Sequence, residues 1–104
     1  MRAIHLAQLD KTRPVVVLTR ELVRPHLHEV TVALITRTIR GLSSEVHVGT
    51  ANGLDADSVI NCDHVHTIPK EALGRQVGYL LPEQEPELTR ALMLAFDLER
   101  IGPL

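Results

Sequence analysis

The segment Arg13-Pro14-Val15-Val16-Val17-Leu18-Thr19 restricts the fold of this chain more than any other stretch. Four consecutive aliphatic residues, three of them β-branched, are typical of a short strand that is buried on both faces. Pro14 fits the first position of such a strand, where its missing N–H does not interrupt a hydrogen-bond ladder. Arg13 then lies at the start of a rigid strand, where a guanidinium suits an anionic ligand such as phosphate. An ordinary surface arginine before a strand is the alternative interpretation.

Other short apolar runs predict further strands, which makes the fold mainly β. Residues 2–9 form a first strand, the connection at 10–12 is tight, and this strand pairs antiparallel with residues 13–19. The remaining predicted strands are 29–35, 45–48, 57–68 and a short one at 77–81. Turn residues predict the connections: a loop or one helical turn at 20–28, a loop at 39–44, and a turn at Asn52-Gly53. Residues 70–73 form at most one helical turn, which Gly74 ends.

The C-terminal segment changes to a helical pattern from Pro82 or Pro86 onward, and Pro86 is tolerable only in a first turn. A core-facing stripe recurs at helical spacing: Leu88, Ala91, Leu92, Ala95 and Leu98. Met93, Leu94 and Phe96 widen this stripe, so we expect a second partner for the helix, most simply in a C2 dimer. The sequence thus predicts a curled antiparallel sheet capped by one helix, in a single domain of residues 1–104.

Composition excludes several classes of protein. No run of about 18 apolar residues is present, so we expect no membrane span and no membrane partner. The N-terminus lacks the apolar core of a signal peptide, and the single cysteine, Cys62, excludes an internal disulfide; both predict a cytoplasmic protein. Tyr79 and Phe96 are the only aromatic residues, which excludes an RNA-stacking platform of the RRM or OB type.

The charge is distributed unevenly along the chain. A net charge of −2 argues against a general nucleic-acid binder. Residues 1–50, however, hold seven Lys and Arg against four Asp and Glu, a net +3, whereas residues 51–104 carry a net −5. A basic first half can line an RNA groove, although arginine clusters are also common on ordinary solvated surface.

Hydroxyls and guanidiniums gather where the third predicted strand ends. Thr36 ends this strand, and Arg37, Thr38 and Arg40 follow it. Such groups can hold a phosphate, with Thr36 donating to a non-bridging oxygen. Threonines also end strands for reasons of turn geometry, so both interpretations stay open.

The middle of the predicted strand at 57–68 carries unusual polar residues. Cys62, His64 and His66 stand at i, i+2 and i+4 and are expected to share one face; they are zinc-ligand types, and His47 is a candidate fourth ligand. Their spacing matches no recognised zinc motif, so we predict no metal and no cofactor. Asp63, in an otherwise apolar strand, requires either an ion pair with a neighbouring arginine or exposure in a cleft.

Taken together and in this order, these segments resemble the MazF/PemK (Kid) family of toxin endoribonucleases, most closely its short mycobacterial MazF members. The resemblance covers nearly the whole chain: Arg13-Pro14 before an aliphatic strand, a strand ending in Thr36, residues 57–68, and Val77-Gly78 before a helix. It implies an SH3-like antiparallel β-barrel (MazF/CcdB-like) with a C-terminal α-helix, a homodimer, and metal-independent cleavage of single-stranded RNA. In that reaction the ribose 2′-OH attacks the adjacent phosphate and leaves a 2′,3′-cyclic phosphate and a 5′-OH.

The resemblance assigns the catalytic roles to Arg13, Thr36 and Asp63. Arg13 neutralises the phosphorane and assists proton transfer, Thr36 holds a non-bridging oxygen, and Asp63 orients Arg13 or contacts the 2′-OH. Substrate-binding residues are expected mainly in the loops at 20–28 and 37–44: Arg20, Arg24, His26, His28, Arg37, Thr38, Arg40, Ser43, Asn61 and His64. With so few aromatic residues, hydrogen bonds to base edges must read the RNA.

The sequence departs from the family pattern in several places. The first loop is only about Asp10-Lys11-Thr12 and lacks a histidine that some relatives place there, so the general base is open. Asn61 stands where PemK has an arginine, and Leu34 replaces the usual proline. His64 replaces a common glutamine and is a candidate base or base-reading group.

The resemblance also implies a partner and leaves other functions open. A MazE-like antitoxin is expected to lay a disordered acidic peptide on the basic first half and block the RNA groove, whether the substrate is mRNA, rRNA or tRNA. The alternative is a non-enzymatic CcdB-like toxin or interaction module that binds a protein target on the same barrel. A small metal-binding regulator is a third hypothesis.

Overall fold

The structure of the protein is a computed structural model, and it describes residues 1–99. Six strands and one helix follow one another: β1 (Ala3–Gln8), β2 (Thr12–Val17), β3 (Glu29–Thr36), β4 (Glu45–Val48), β5 (Ser58–Pro69), β6 (Leu73–Tyr79) and α1 (Glu85–Ala95). Short 3-10 turns lie at Arg24–His26, Thr50–Asn52, Lys70–Ala72 and Pro82–Gln84. The predicted domain of residues 1–104 runs past this range, and residues 100–104 lie outside the described part. Neither α1 nor any other helix in residues 1–99 is long and apolar enough to cross a membrane.

All six strands belong to one antiparallel sheet in the order β4-β5-β3-β2-β1-β6. The tight connection after β1 makes β1 and β2 antiparallel neighbours, as predicted, with Ile4 opposite Val16. β2 pairs with β3 so that Val15 lies opposite Leu34 and Val17 opposite Val32. The same register, extended by two residues, places Arg13 opposite Thr36.

The sheet curls into a barrel-like shape whose two edges, β4 and β6, are joined by a turn rather than by a ladder. Asn52, in the turn after β4, donates from Nδ2 to the carbonyl oxygen of Tyr79 at 3.0 Å and to Oε1 of Gln84 at 2.7 Å. Gly53 adopts φ = +87°, a conformation that favours glycine. A Cβ on Gly78 would collide with the Asn52 carbonyl. The mainly β, barrel-like fold with a C-terminal helix is therefore confirmed.

The core lies on both sides of β2, which explains its unbroken aliphatic run. Val16 packs in one cluster, with residues that include Ile4, Ile60, Leu88 and Ala91. Val15 and Val17 pack in the other cluster, with residues that include Val30, Val32 and Ile68. All three valines are at most 1% exposed, so the prediction of a strand buried on both faces is confirmed. Each contributes about 1.5–3 kcal/mol of burial free energy.

The last strand is longer than predicted, because its pairing with β1 extends it in the N-terminal direction. Ala7 lies opposite Leu73 and Ala3 opposite Tyr79. Gly74 therefore lies inside β6 and does not end the preceding turn, and the predicted strand at 77–81 covers only the second half of the real one. The first half of β6 was not predicted, because Gly74-Arg75-Gln76 has no alternation of apolar residues.

The helix begins at Glu85 with Pro86 in its first turn, as predicted, but it is shorter than its apolar stripe suggested. Asp97 takes the left-handed conformation at φ = +54°, and the N–H of Leu98 donates to the carbonyl of Met93 at 2.8 Å. This Schellman-type end stops the helix at Ala95. Leu98 consequently lies beyond the helix and is 57% exposed, so its predicted place in the core stripe is wrong.

β5 contains a break in register that changes which side chains share a face. Ala33 lies opposite Val65, but the next residue, Leu34, lies opposite Asn61. Residues 62–64 thus have no counterpart on β3 and form a bulge. Cys62 turns into the core, fully buried, whereas His64 and His66 line a cleft together with Asn61.

The predicted common face for Cys62, His64 and His66 is therefore wrong, because the bulge breaks the two-residue alternation on which it relied. Within residues 1–99, no three His, Cys, Asp or Glu side chains are grouped so as to hold a metal ion.

Candidate active site

Arg13 and Thr36 lie at the same end of the sheet, because β2 begins where its antiparallel neighbour β3 ends. Both residues line two adjoining cavities, and Ile35 and Thr38 are likewise shared between them. The first, which we call the His64 cavity, has a volume of about 610 Å³ and is also lined by Asp10, Arg40, Asn61, His64 and His66. The second, the Arg75 cavity, has a volume of about 750 Å³ and is also lined by Lys11, Arg37, Asp55 and Arg75. The predicted arginine and threonine thus form the boundary between two clefts.

Arg13 is held by Asp10 through two hydrogen bonds. Its Nε donates to Oδ1 at 2.8 Å and its Nη2 donates to Oδ2 at 2.9 Å. The Arg13 guanidinium holds the pKa of Asp10 well below its usual range, so the carboxylate stays charged at physiological pH. The fork of Arg13 is therefore already arranged to bind a bidentate anion, and a phosphate must compete with Asp10 for it.

The partner of Arg13 differs from the predicted one. The resemblance gave Asp63 two possible roles, orienting Arg13 or contacting the 2′-OH. In the structure Asp10 orients Arg13, so the first role is not that of Asp63, and the second stays a prediction. Asp10 was missed because the short connection was treated only as a turn. Its one signal in the sequence is the three-residue separation from Arg13 across that tight turn.

Thr36 has its hydroxyl fixed by the turn that follows β3. Its Oγ1 accepts a hydrogen bond from the backbone N–H of Thr38 at 3.1 Å. This is the turn role expected of a threonine at a strand end. Because the oxygen acts as the acceptor, the hydroxyl hydrogen stays available to donate to a ligand. Both interpretations of Thr36 are therefore compatible.

Asp63 takes part in a structural contact outside both cavities. Its Oδ2 accepts a hydrogen bond from the hydroxyl of Ser44 at 2.6 Å, and its backbone N–H donates to Oδ1 of Asn61 at 3.0 Å. Ser44 is buried and its carbonyl accepts from the N–H of Cys62 at 3.0 Å. Within residues 1–99, Asp63 makes no ion pair with an arginine. Asp63 thus fastens the loop that carries Thr38 and Arg40 to the bulge of β5.

The structure separates the predicted substrate-binding residues into groups. Thr38, Arg40, Asn61 and His64 line the His64 cavity, and Arg37 lines the Arg75 cavity. Arg20 and Arg24 line a different cleft beside Arg2 and Glu85, and His26 and His28 line another beside Lys70. Ser43 is exposed and borders none of these clefts.

Topology keeps Arg20, Arg24, His26 and His28 away from Arg13 and Thr36, so their contact with RNA stays a prediction. Residues 20–28 follow the end of β2 and precede the start of β3, whereas Arg13 and Thr36 lie at the opposite ends of those strands. A six-residue strand is about 20 Å long. Within one chain, the loop at 20–28 is therefore about one strand length away from Arg13.

The buried thiol of Cys62 allows a prediction about pH. Burial raises the pKa of Cys62 to about 11, and the nearby Asp63 carboxylate adds to this effect. Because the folded pKa is raised above the unfolded value, the thiol's contribution to stability is complete below about pH 9 and is lost as the pH approaches 11. We expect the unfolding free energy of the wild type to fall by about 2 kcal/mol more than that of Cys62→Ala between pH 7.5 and 10.5. Urea denaturation of both proteins at the two pH values measures this difference, and equal losses would contradict it.

Comparison with known proteins shows which family the chain belongs to. The family profile of the PemK-like, MazF-like toxin of type II toxin-antitoxin systems matches residues 4–96. The chain belongs to this toxin family. It is 62% identical over 99 residues, covering 95% of this chain and 96% of the other, to a Mycobacterium tuberculosis protein named Endoribonuclease MazF3. It is also 40% identical over 81 residues, covering 77% and 79% of the two chains, to the Probable endoribonuclease MazF2 of the same organism.

Two solved structures have the same architecture. The Mycobacterium tuberculosis toxin MazF-mt6 superposes with a TM-score of 0.94 at 61% identity, covering 95% of this chain and all of the other. A mycobacterial endoribonuclease in complex with its cognate antitoxin superposes with a TM-score of 0.84 over 95% of each chain; at 23% identity, this supports the fold alone. The resemblance inferred from the sequence is confirmed.

Proposed function

We propose that this chain is the toxin of a type II toxin-antitoxin system and acts as a metal-independent endoribonuclease on single-stranded RNA. The observation that carries the proposal is the fixed pair of Arg13 and Thr36 on the boundary between two clefts. The pair stands in a chain that is 62% identical, over nearly its full length, to a protein named endoribonuclease. A linear RNA can lie across this boundary with a phosphate against the pair.

The reaction is an attack of a ribose 2′-OH on the adjacent phosphorus. The bond from O2′ to phosphorus forms, the bond from phosphorus to O5′ breaks, and the products carry a 2′,3′-cyclic phosphate and a 5′-OH. The 2′-OH loses a proton and the leaving O5′ gains one, so a proton acceptor and a proton donor are required. His64, which lines the same cavity as Arg13, is our candidate for the acceptor, because imidazole is the side chain that most often transfers protons in enzymes.

Arg13 and Thr36 act on the phosphate itself. The phosphorane develops negative charge on its non-bridging oxygens, and preorganised donors stabilise that charge more than they stabilise the ground state. When RNA binds, the Arg13 guanidinium releases Asp10 and donates to the two non-bridging phosphate oxygens. The Thr36 hydroxyl donates a further hydrogen bond to one of these oxygens. Since Arg13 supplies the cation, we expect cleavage to continue in a chelator.

The experiment that tests this function is incubation of the purified protein with a long single-stranded RNA in EDTA. Discrete cuts at a short motif, with 2′,3′-cyclic phosphate and 5′-OH ends, are the expected result. No cleavage by folded protein would overturn the nuclease and favour a CcdB-like toxin that binds a protein target.

Thr36→Val is expected to lower the cleavage rate by about 100-fold, because it removes the hydroxyl donor while keeping the β-branched shape. Thr36→Ser, which keeps the donor, should retain most of the rate. Single-turnover cleavage of one RNA at saturating protein measures both variants. Equal rates for Thr36→Val and the wild type would exclude a role for the hydroxyl.

The partners follow from the family and from two surfaces. A homodimer is supported by the apolar cleft along α1, lined in part by Pro86, Met93, Leu94 and Leu98. A MazE-like antitoxin with an acidic segment matches the cations around Arg13, in a first half with a net charge of +3. We place the protein in the cytoplasm, where its RNA substrate lies.

A further inference from the structure

No step of the proposed reaction uses the Arg75 cavity. It lies on the far side of Arg13 and Thr36 from His64, between the start of β2, the turn before β5, and β6. Its volume of about 750 Å³ is within the range of small-molecule sites, which is about 300–1,000 Å³. Lys11, Asp55 and Arg75, which line it, were not among the residues predicted from the sequence.

The two cavities meet at Arg13 and Thr36, so the parts of a bound RNA on either side of the scissile phosphate lie in different cavities. A phosphodiester has one nucleoside on its 5′ side and one on its 3′ side. If the phosphate lies against Arg13 and Thr36, one of these nucleosides enters the His64 cavity and the other enters the Arg75 cavity. Both sides carry a carboxylate and cations, but only the His64 cavity adds imidazoles and an amide. Its carboxylate, Asp10, is already bound by Arg13, whereas that of Asp55 in the Arg75 cavity is not bound within the described part of the chain.

The charged side chains of the Arg75 cavity are available to a ligand. Within residues 1–99, the side chains of Lys11, Arg37 and Arg75 form no ion pair, and no ion pair or hydrogen bond engages the carboxylate of Asp55. Three cations around a cleft match the phosphates that flank a nucleotide. A carboxylate only accepts hydrogen bonds, so it suits a base edge that presents N–H groups.

The turn that carries Asp55 is fixed at both ends. On one side, Asn52 and Gly53 pack directly on the backbone of Val77 and Gly78, and the N–H of Leu54 donates to the carbonyl of Gly49 at 3.2 Å. On the other side, the hydroxyl of Ser58 donates to the carbonyl of Ala56 at 3.0 Å. A group on such a turn is preorganised, which favours discrimination between ligands.

Apolar side chains supply the remaining walls. Leu6, Pro14, Leu54 and Val77 line the cavity and are only partly exposed. Aliphatic walls can pack against the faces of a base, which matters in a chain with only two aromatic residues. The cavity therefore offers contacts to base faces, a base edge and phosphates together.

We propose that the Arg75 cavity binds the nucleotide on one side of the scissile phosphate, and that Asp55 selects there a base with an exocyclic amino group over uracil, whose one N–H lies between two carbonyl oxygens. This inference rests on the proposed endoribonuclease function. It assigns sequence preference on that side to the turn before β5 rather than to the loops at 20–28 and 37–44. Lys11, Arg37 and Arg75 hold the backbone of the same nucleotide and carry no base preference.

The test compares cut sites in an RNA pool that is randomised around the cleavage position. Asp55→Asn keeps the shape of the side chain but introduces an amide donor, so the base preference at one position beside the cut should relax or change by about tenfold or more. Preferences on the other side of the cut should stay as in the wild type. Glu87→Gln, on the exposed surface of α1, removes a carboxylate away from both cavities and is the matched control.

A second variant tests the cations independently of base choice. Arg75→Ala should raise KM for every RNA to a similar degree, leave base preference unchanged, and reduce the salt dependence of binding by about one ion. If the wild type cleaves RNA and Asp55→Asn shows the same base preferences as the wild type, the inference is overturned and the proposed function stands. A wild type that cuts no RNA would instead overturn the proposed function, and the inference with it.

Discussion

Arg13→Ala should reduce RNA cleavage by about three orders of magnitude and leave the fold intact. The loss is large because Arg13 is the fixed cation at the boundary of the two cavities, and removal of a preorganised donor to a transition-state oxyanion costs about 10²–10³ in rate. Its full charge and two-point geometry place it at the upper end of this range. The measurement is single-turnover cleavage at saturating protein, which separates the chemical step from binding.

Two further variants make the Arg13 result specific. Arg13→Lys keeps a positive charge but loses the planar fork, so its rate should fall between those of the wild type and Arg13→Ala. Lys70→Ala removes an exposed cation outside both cavities and away from the apolar cleft along α1, and should cleave like the wild type. Because the Arg13–Asp10 ion pair is on the surface, the midpoint of thermal unfolding should be unchanged in Arg13→Ala. A folded Arg13→Ala protein with wild-type activity would contradict the assigned site.

Gly78→Ala is expected to have the largest effect on stability, a loss of about 2–3 kcal/mol in the free energy of unfolding. A Cβ at this position would collide with the backbone carbonyl of Asn52, which is not a flexible side chain able to move aside. The collision falls where the turn after β4 closes the barrel against β6. For a chain of about 100 residues, such a loss lowers the unfolding temperature by about 10 °C or more.

Two other glycines provide the controls for Gly78→Ala. Gly41 has φ = +74° and nothing within 4 Å of a Cβ, so Gly41→Ala tests backbone strain alone and should cost about 1 kcal/mol. Gly74 is on the same strand as Gly78, and a Cβ there would lie 3.1 Å from the Leu6 carbonyl, a milder contact. Thermal and urea unfolding of the three variants give the comparison. A Gly78→Ala protein that is no less stable than Gly74→Ala would contradict the close contact between Gly78 and the Asn52 carbonyl.

The sequence predicted best where one short segment carried its own signal. The β-branched run after Pro14 defined β2, and the alternating residues 45–48 defined β4 with its observed ends. Arg13 and Thr36 came from position as much as from residue type: one begins a strand and the other ends its neighbour. Antiparallel pairing is enough to bring two such positions together.

The sequence predicted least where distant parts of the chain decide the outcome. The bulge in β5 depends on how residues 62–64 fit between β3 and β4, so alternation along the strand placed Cys62 on the wrong face. The first half of β6 is held by its ladder to β1 rather than by an apolar pattern of its own. Arg20 and His26 resembled groove residues in composition, but strand direction places them at the other end of the sheet.

An RNA oligonucleotide with a single cut site, in which only the nucleotide on the 5′ side of the scissile phosphate lacks its 2′-OH, tests the proposed nucleophile directly. We expect this RNA to bind the protein as tightly as the unmodified one but not to be cleaved, because the nucleophile is missing. The unmodified RNA should be cut to a 2′,3′-cyclic phosphate in EDTA. Cleavage of the 2′-deoxy RNA at the same phosphate would show that the nucleophile comes from elsewhere and would contradict the mechanism assigned to Arg13 and Thr36.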